Sequence, residues 1–127
     1  MITTYAIKTL FRSAVARLRG PLSIEAIEAY YHKIPNSIQV SWERDGDMIV
    51  GTVKAGNHEF YTQGKDADDF IEMVNDAVYT VYEIPFEYLD VIERLKPFSP
   101  SLEQRKALYG KDKDIISISK KNSLKLA

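Results

Sequence analysis

The sequence predicts an α+β fold: a three- to four-stranded antiparallel sheet with one main helix packed on it, plus N-terminal helices and a C-terminal helix/strand extension. Two patterns predict it. Residues 38–63 alternate apolar and polar side chains between tight-turn dipeptides, and residues 66–84 repeat apolar side chains every three or four positions. Apolar residues make up 45% of the 127 residues, which is enough for a packed core in one domain with an appended arm.

The N-terminal segment predicts an amphipathic basic helix over residues 4–19 that ends at Gly20-Pro21. No acidic residue precedes Glu25, which is also typical of a mitochondrial transit segment. A second short helix follows, with Ser23 as its N-cap and Pro35 at its end. We therefore assign residues 1–36 to an N-terminal helical arm. The apolar side of the first helix consists of Ile7, Leu10, Phe11, Ala14, Val15 and Leu18.

Three strands are predicted in the middle of the chain. Ile38–Glu43 alternates apolar and polar residues, as a half-buried strand does. Asp45-Gly46 is typical of a type I′ turn, and Met48–Ala55 returns as a second strand. A turn at Gly56-Asn57 leads to a third strand at His58–Thr62. These strands predict an antiparallel meander.

The main helix follows the meander and ends at Pro85. Asp66 is its predicted N-cap, and Asp68 and Asp69 place negative charge where the helix dipole favours it. Seven apolar residues lie within an arc of roughly 120° that would pack on the sheet. They are Ala67, Phe70, Ile71, Val74, Ala77, Val78 and Val81, and the opposite side is an acidic stripe of Asp68, Asp69, Glu72, Asp76 and Glu83.

The last third of the chain is less regular. Residues 86–95 fit either a helix or a fourth strand, and the sequence leaves both open. Ser99-Pro100 predicts an N-cap followed by a helix over residues 100–109, ending at Gly110. Ile115–Ser119 predicts a last strand at a sheet edge. We assign residues 37–96 to a β-β-β-α domain and residues 97–127 to a C-terminal extension with a basic tail.

The stretch from Ser37 to Pro85 resembles the HicB family of antitoxins from bacterial toxin–antitoxin pairs. The resemblance lies in the strand–turn–strand start and in Thr62-Gln63-Gly64, after which a helix opens with acidic residues. It implies a HicB-like fold and a non-enzymatic module that binds and covers a small basic ribonuclease toxin. Many members add a DNA-binding module after this domain, and none is recognisable here, because the chain ends too soon after Ser119.

The charge distribution favours a partner-binding role. Residues 38–95 carry thirteen acidic and four basic groups, whereas residues 1–37 carry five basic and two acidic groups, and residues 96–127 carry eight and three. An acidic face of this kind attracts basic proteins in a fast, salt-sensitive association. The predicted partner-binding residues are Asp68, Glu72 and Asp76 on the main helix.

The alternative hypothesis is a nucleic-acid-associated protein, in which the basic ends contact phosphates. Its predicted contact residues are Arg12, Arg17 and Arg19 in the first helix and Lys120 and Lys121 in the tail. Trp42, Tyr61, Phe60 and Phe70 would offer bases a stacking platform, although the phase of Trp42, Phe60 and Phe70 favours the core.

The sequence contains no motif that indicates an enzyme or a cofactor. The chain has no cysteine, and His32 and His58 lack the spacing of paired metal ligands, so we predict no metal site. No apolar run approaches the roughly 20 residues of a membrane span, and we expect a cytoplasmic protein. The free edges of a small sheet predict a homodimer, which sedimentation showing only monomer at micromolar concentrations would contradict.

Overall fold

The computed structural model describes residues 24–121, which form an α+β fold with one antiparallel sheet and four helices. The strands are β1 (Ser37–Asp45), β2 (Met48–Ala55), β3 (His58–Gly64) and β4 (Lys113–Ser119). The helices are α1 (Ile24–Lys33), α2 (Ala67–Val81), α3 (Phe86–Leu95) and α4 (Leu102–Gly110). The helix predicted over residues 4–19 lies outside the described residues.

The sheet has the strand order β3-β2-β1-β4, so β3 and β4 are its edges. The predicted meander of the first three strands is confirmed, and so is the last strand, which returns to pair with β1. In this register, Ser41 on β1 lies between Thr52 on β2 and Ile115 on β4. Tyr61 on β3 continues the same row beyond Thr52.

The first tight turn of the meander differs from the type I′ turn predicted at Asp45-Gly46. Asp45 still belongs to β1, and the central residues are Gly46 and Asp47. Gly46 has φ +62° and Asp47 is not in the left-handed region, which is the pattern of a type II′ turn. Glycine therefore occupies the first central position, the one place where this turn needs positive φ.

The sheet buries one face and leaves the other open. Along β1, Ile38, Val40 and Trp42 are buried, and the residues between them are exposed. Helix α2 packs on the buried face, mainly against β3 and β2. This alternation follows from the two-residue period of a strand, and it confirms the predicted side of the meander that faces the core.

Helix α2 begins as the sequence predicts and lies very close to the sheet. The Asp66 carboxylate accepts a hydrogen bond of 2.8 Å from the backbone N–H of Asp69, which confirms the N-cap. A Cβ at Gly51 would lie 2.7 Å from Cζ of Phe70, and one at Gly64 would lie 2.5 Å from its Cα. Glycine at both positions lets the first turn of α2 approach the strands.

Residues 86–95 form helix α3, which decides between the two structures that the sequence left open. Val91, Ile92 and Leu95 are buried on one side of this helix. A fourth meander strand is not formed at this point in the chain, and the fourth strand of the sheet is instead Lys113–Ser119. Helical burial is therefore the arrangement that removes these apolar side chains from water.

Helix α4 begins two residues later than predicted. Its N-cap is Ser101, whose hydroxyl accepts from the backbone N–H of Gln104 at 3.2 Å. The Gln104 side chain accepts in return from the backbone N–H of Ser101 at 2.9 Å, which completes a capping box. Ser99, the predicted cap, instead donates to the carbonyl of Lys96 at 3.2 Å. The capping box satisfies two backbone N–H groups at the start of α4, whereas a cap at Ser99 alone would satisfy one. Ser101 is therefore favoured as the N-cap.

The described parts of all three predicted segments share one hydrophobic core. Ile27 and Tyr31 come from α1, before residue 37, and Phe98 and Leu108 come from beyond residue 96. They pack in the same cluster as Val40 and the buried face of α2.

Candidate functional site

A groove of about 540 Å³ lies between α2 and the segment that connects α3 to α4. We call it the acidic groove. Glu72 and Asp76 project from α2 on one side, and Glu93 lies on α3 at the other. Tyr79 and Phe98 line its buried side. The groove thus combines an apolar floor with a rim of four carboxylates and the two basic residues Lys96 and Arg105.

Asn75 fixes the distance between the two walls of the acidic groove. Its side-chain N–H donates to the carbonyl of Phe98 at 2.9 Å, and its side-chain oxygen accepts from the backbone N–H of Phe98 at 3.1 Å. Asn75 also donates to the carbonyl of Ile71 at 2.9 Å. It is 8% exposed, and its two bonds to Phe98 are shielded from water. The amide holds the connecting segment against α2 much as a strand partner would.

The carboxylates of the groove repel one another. The pKa of Glu93 is raised, first because the group is partly buried and then by the charge of Asp76 and a hydrogen bond between their carboxyl groups. The charges of Asp90 and Glu72 raise it further. Within residues 24–121, no ion pair engages Glu72, Asp76 or Glu93. A cationic group in the groove would relieve this repulsion.

Asp68, the third predicted partner-binding residue, is already engaged within the chain. Its carboxylate lies 3.4 Å from the guanidinium of Arg105 on α4 and accepts a hydrogen bond of 2.9 Å from the Tyr109 hydroxyl. This bond to Asp68 raises the pKa of Tyr109. All three predicted residues therefore line the groove together with Glu93, and Asp68 in addition holds α4 to the start of α2.

Tyr79 on the floor of the groove is shielded from solvent. Burial raises the pKa of its hydroxyl far above the usual range, and the nearby charges of Glu93 and Asp76 raise it further. Tyr79 is 4% exposed, although its position lies beside the apolar arc of α2 that the sequence predicts. The buried side of α2 extends toward Asn75 and Tyr79, because the segment after α3 packs there.

Two basic residues of the alternative hypothesis, Lys120 and Lys121, directly follow β4. The side chain of the first one forms hydrogen bonds within the chain. Lys120 is 6% exposed, and its ammonium donates to the carbonyls of Tyr31 at 3.1 Å and Ile34 at 2.7 Å. Burial lowers the pKa of both Lys120 and Lys121, and the nearby charge of Lys96 lowers that of Lys121 further. Lys120 is thus unavailable to a phosphate. Arg12, Arg17 and Arg19 lie outside the described residues.

The predicted stacking platform is not assembled on one surface. Trp42 and Phe70 are buried between the sheet and α2, and Phe60 packs half-buried against the same core. Tyr61 points to the open face and is 81% exposed. The core interpretation of the other three aromatic residues is confirmed.

The described residues show neither a metal cluster nor a membrane span. No group of three or more histidine, aspartate or glutamate side chains between residues 24 and 121 is arranged to hold a metal ion. In the same range, no helix combines the length and the apolar composition needed to cross a bilayer.

The sequence did not predict three residues that shape the groove: Asn75, Glu93 and Phe98. The sequence does offer a signal for Asn75, because an amide side chain at the border of an apolar helical face often forms hydrogen bonds with backbone groups inside the core. Glu93 and Phe98 give none, since their positions depend on how α3 and its connecting segment fold back. Long-range packing, rather than local pattern, creates the groove.

Comparisons with known proteins leave the chain without a family assignment. No protein-family model matches it, and no curated protein or solved structure matches either.

Proposed function

We propose that this chain is a non-enzymatic, HicB-like antitoxin module that binds a small basic ribonuclease toxin through the acidic groove. The observation that carries the proposal is the carboxylate rim of Glu72, Asp76 and Glu93, which has no ion-pair partner among residues 24–121. A lysine or arginine of a partner would neutralise this rim, and its side-chain methylenes would pack on the groove floor.

The order of the elements supports the HicB-like part of the proposal. A three-stranded meander leads through Thr62-Gln63-Gly64 into a capped helix that crosses the sheet. The motif requires glycine at position 64, because a side chain there would collide with the backbone of α2. One of the residues that carry the resemblance, Gly64, therefore lets the helix lie close to the sheet.

The homodimer remains part of the proposal, and the sheet edges indicate where it would form. The Gln104 side chain donates to the carbonyl of Ser117 at 2.6 Å and thereby occupies part of the β4 edge. The β3 edge has no such cover from a described helix. We therefore place the proposed dimer contact at β3, where backbone groups are free to pair.

An antitoxin role predicts a toxic partner in the neighbouring reading frame. We expect that frame to encode a small basic protein whose expression stops bacterial growth, and co-expression of this chain to restore it. The groove variant Glu72→Gln/Asp76→Asn should restore growth poorly, because the rim loses two charges. The matched variant Glu43→Gln/Glu59→Gln removes two carboxylates from the open sheet face and should restore growth fully.

Two results of this growth experiment would contradict the proposal. The first is a neighbouring product that does not affect growth. The second is equal rescue by the groove variant and the matched variant, which would place the contact elsewhere on the chain.

A further inference from the structure

The β3 edge of the sheet presents free backbone groups at every second residue. Ala55 and His58 flank a two-residue turn and lie opposite each other in the β2–β3 register. Such a pair exchanges both of its backbone hydrogen bonds, and bonded pairs then alternate along the ladder. The backbone N–H and carbonyl groups of Glu59, Tyr61 and Gln63 therefore point away from β2, into the space beyond the edge.

The two edges of the sheet differ in their protection. At the β4 edge, the Gln104 side chain donates to the outward carbonyl of Ser117 at 2.6 Å. Strand β3 contains neither proline nor lysine, and its register with β2 runs without a bulge. Proline, lysine and bulges are the usual means by which an edge strand avoids pairing with another chain. The β3 edge lacks all of them and is open to a further strand.

Helix α2 adds an apolar flank beside the same edge. The helix packs mainly against β3, and its Asp68 and Asn75 face α4, which packs on β4, and the segment after α3. Successive residues of a helix turn by about 100°, so Met73 and Ala77 lie on the opposite flank, away from α4. Met73 is 40% exposed, and Ala77 is half-buried. An apolar helix flank therefore stands next to the open strand edge.

The side chains of β3 are complementary to those of a second β3. The strand runs from His58 to Gly64, so Tyr61 is its midpoint. Two antiparallel copies overlap along the whole strand only when Tyr61 of each copy lies on the two-fold axis. In this register Glu59 lies opposite Gln63 of the second copy, and each outward N–H meets an outward carbonyl. A carboxylate therefore faces an amide donor, and no like charges meet along the strand.

We propose that two copies of this chain pair through β3 with Tyr61 on the axis, and that the Met73 and Ala77 flanks of their α2 helices meet above the joined strands. This inference rests on the homodimer of the proposed function and adds its register and its helix contact. The small Ala77 side chain permits the distance of about 8–10 Å at which helices pack. Because the acidic groove lies on the other flank of α2, both grooves of the dimer stay open to basic partners.

The size of this contact predicts a weak dimer. Strand β3 and helix α2 are each about 23 Å long, from the rise per residue of a strand and of a helix. One sheet layer and one helix layer together are about 20 Å high, so each copy contributes on the order of 450 Å². Specific interfaces typically bury about 800 Å² from each partner. We therefore expect a dissociation constant in the micromolar range.

An exchange of two side chains tests the register in the full chain. Gln63→Glu places a carboxylate opposite Glu59 on both sides of the axis, and we expect it to weaken the dimer at least about fivefold. Glu59→Gln/Gln63→Glu restores the acid–amide pairs, so its dissociation constant should return to within about twofold of the wild type. Ser117→Glu adds the same charge at the β4 edge and should dimerise as the wild type does. Sedimentation equilibrium measures each dissociation constant.

A second pair of variants tests the helix contact. Ala77→Arg places a long charged side chain between the two helices and should weaken the dimer at least about tenfold. Ala29→Arg makes the same change at an exposed position of α1 and should leave the dimer unchanged. Circular dichroism verifies that every variant is folded.

Three results would overturn the inference. One is a wild-type chain that stays monomeric at concentrations well above the micromolar range. Another is a dimer that Gln63→Glu and Ala77→Arg leave unchanged, and the third is a Gln63→Glu defect that Glu59→Gln does not repair. The growth experiment tests the acidic groove separately, so the dimer contact and the proposed toxin contact can each fail without the other.

Discussion

Asn75 shows how one polar side chain determines the shape of the acidic groove. It lies where the apolar side of α2 meets the connecting segment, and its amide bonds both backbone groups of Phe98. Backbone groups buried without partners are costly, so the amide satisfies Phe98 and positions the groove wall at the same time. An apolar residue at this position would fill the space without fixing the distance.

Asn75→Ala should therefore destabilise the protein by about 2–3 kcal/mol, because the buried N–H and carbonyl of Phe98 both lose their partner. Urea unfolding followed by circular dichroism measures the change in the free energy of unfolding. Gln39→Ala, which removes an exposed amide on the open face, is the matched control and should change stability by less than about 0.5 kcal/mol. Equal losses in the two variants would show that the Asn75 bonds do not hold the segment in solution.

At the scale of the element, the position of α2 depends on two glycines in the strands. Gly51 on β2 and Gly64 at the end of β3 both face Phe70, in the first turn of the helix. At Gly64 the nearest atoms are backbone atoms of α2, which cannot move aside as a flexible side chain can. The close packing of helix and sheet follows from these two missing side chains.

Gly64→Ala should shift the start of α2 away from β3 and destabilise the protein by about 1–3 kcal/mol, as overpacking does. The control is Gly110→Ala at the end of α4, where an added Cβ meets nothing within 4 Å. That substitution should leave stability unchanged or raise it by up to about 1 kcal/mol. Thermal or urea unfolding compares the two, and a neutral Gly64→Ala would contradict the close approach.

The same element shows how far the sequence predicts the structure. The strands, the N-cap at Asp66 and the apolar side of α2 follow from local periods of two and 3.6 residues, and the structure confirms them. The buried side of α2 also includes Tyr79, which only the packing of the segment after α3 explains. Local pattern predicts which residues avoid water, but it does not predict which distant segment covers them.

On the scale of the whole molecule, distant ends of the described chain are joined by polar contacts. The Lys120 ammonium, after β4, donates to the carbonyls of Tyr31 in α1 and of Ile34 just after this helix, and the Tyr31 hydroxyl donates to the carbonyl of Lys121. Arg44 on β1 donates to the carbonyl of Lys111 at 3.1 Å and to that of Leu108, at the end of α4. A cation at a helix end complements the dipole, so Lys120, which suggested nucleic acid from the sequence, instead stabilises the fold.

Long-range contacts also explain why the sequence could not predict the candidate site. The groove needs α2, the end of α3 and the residues after it in one place, and the bonds between Asn75 and Phe98 that hold them join positions 23 residues apart in the chain. The acidic residues of α2 were predictable because helical periodicity exposes them. The contacts of Asp68 with α4 were not predictable, because they depend on where Arg105 and Tyr109 lie.

The central functional claim is that the acidic groove binds a basic protein. Isothermal titration of the purified chain with the basic product of the neighbouring reading frame measures this directly. We expect Glu72→Gln/Asp76→Asn to weaken binding at least about tenfold at low salt, with the wild-type affinity falling as salt rises, and Glu43→Gln/Glu59→Gln to bind as the wild type does. Identical dissociation constants for the wild type and the groove variant would contradict the claim.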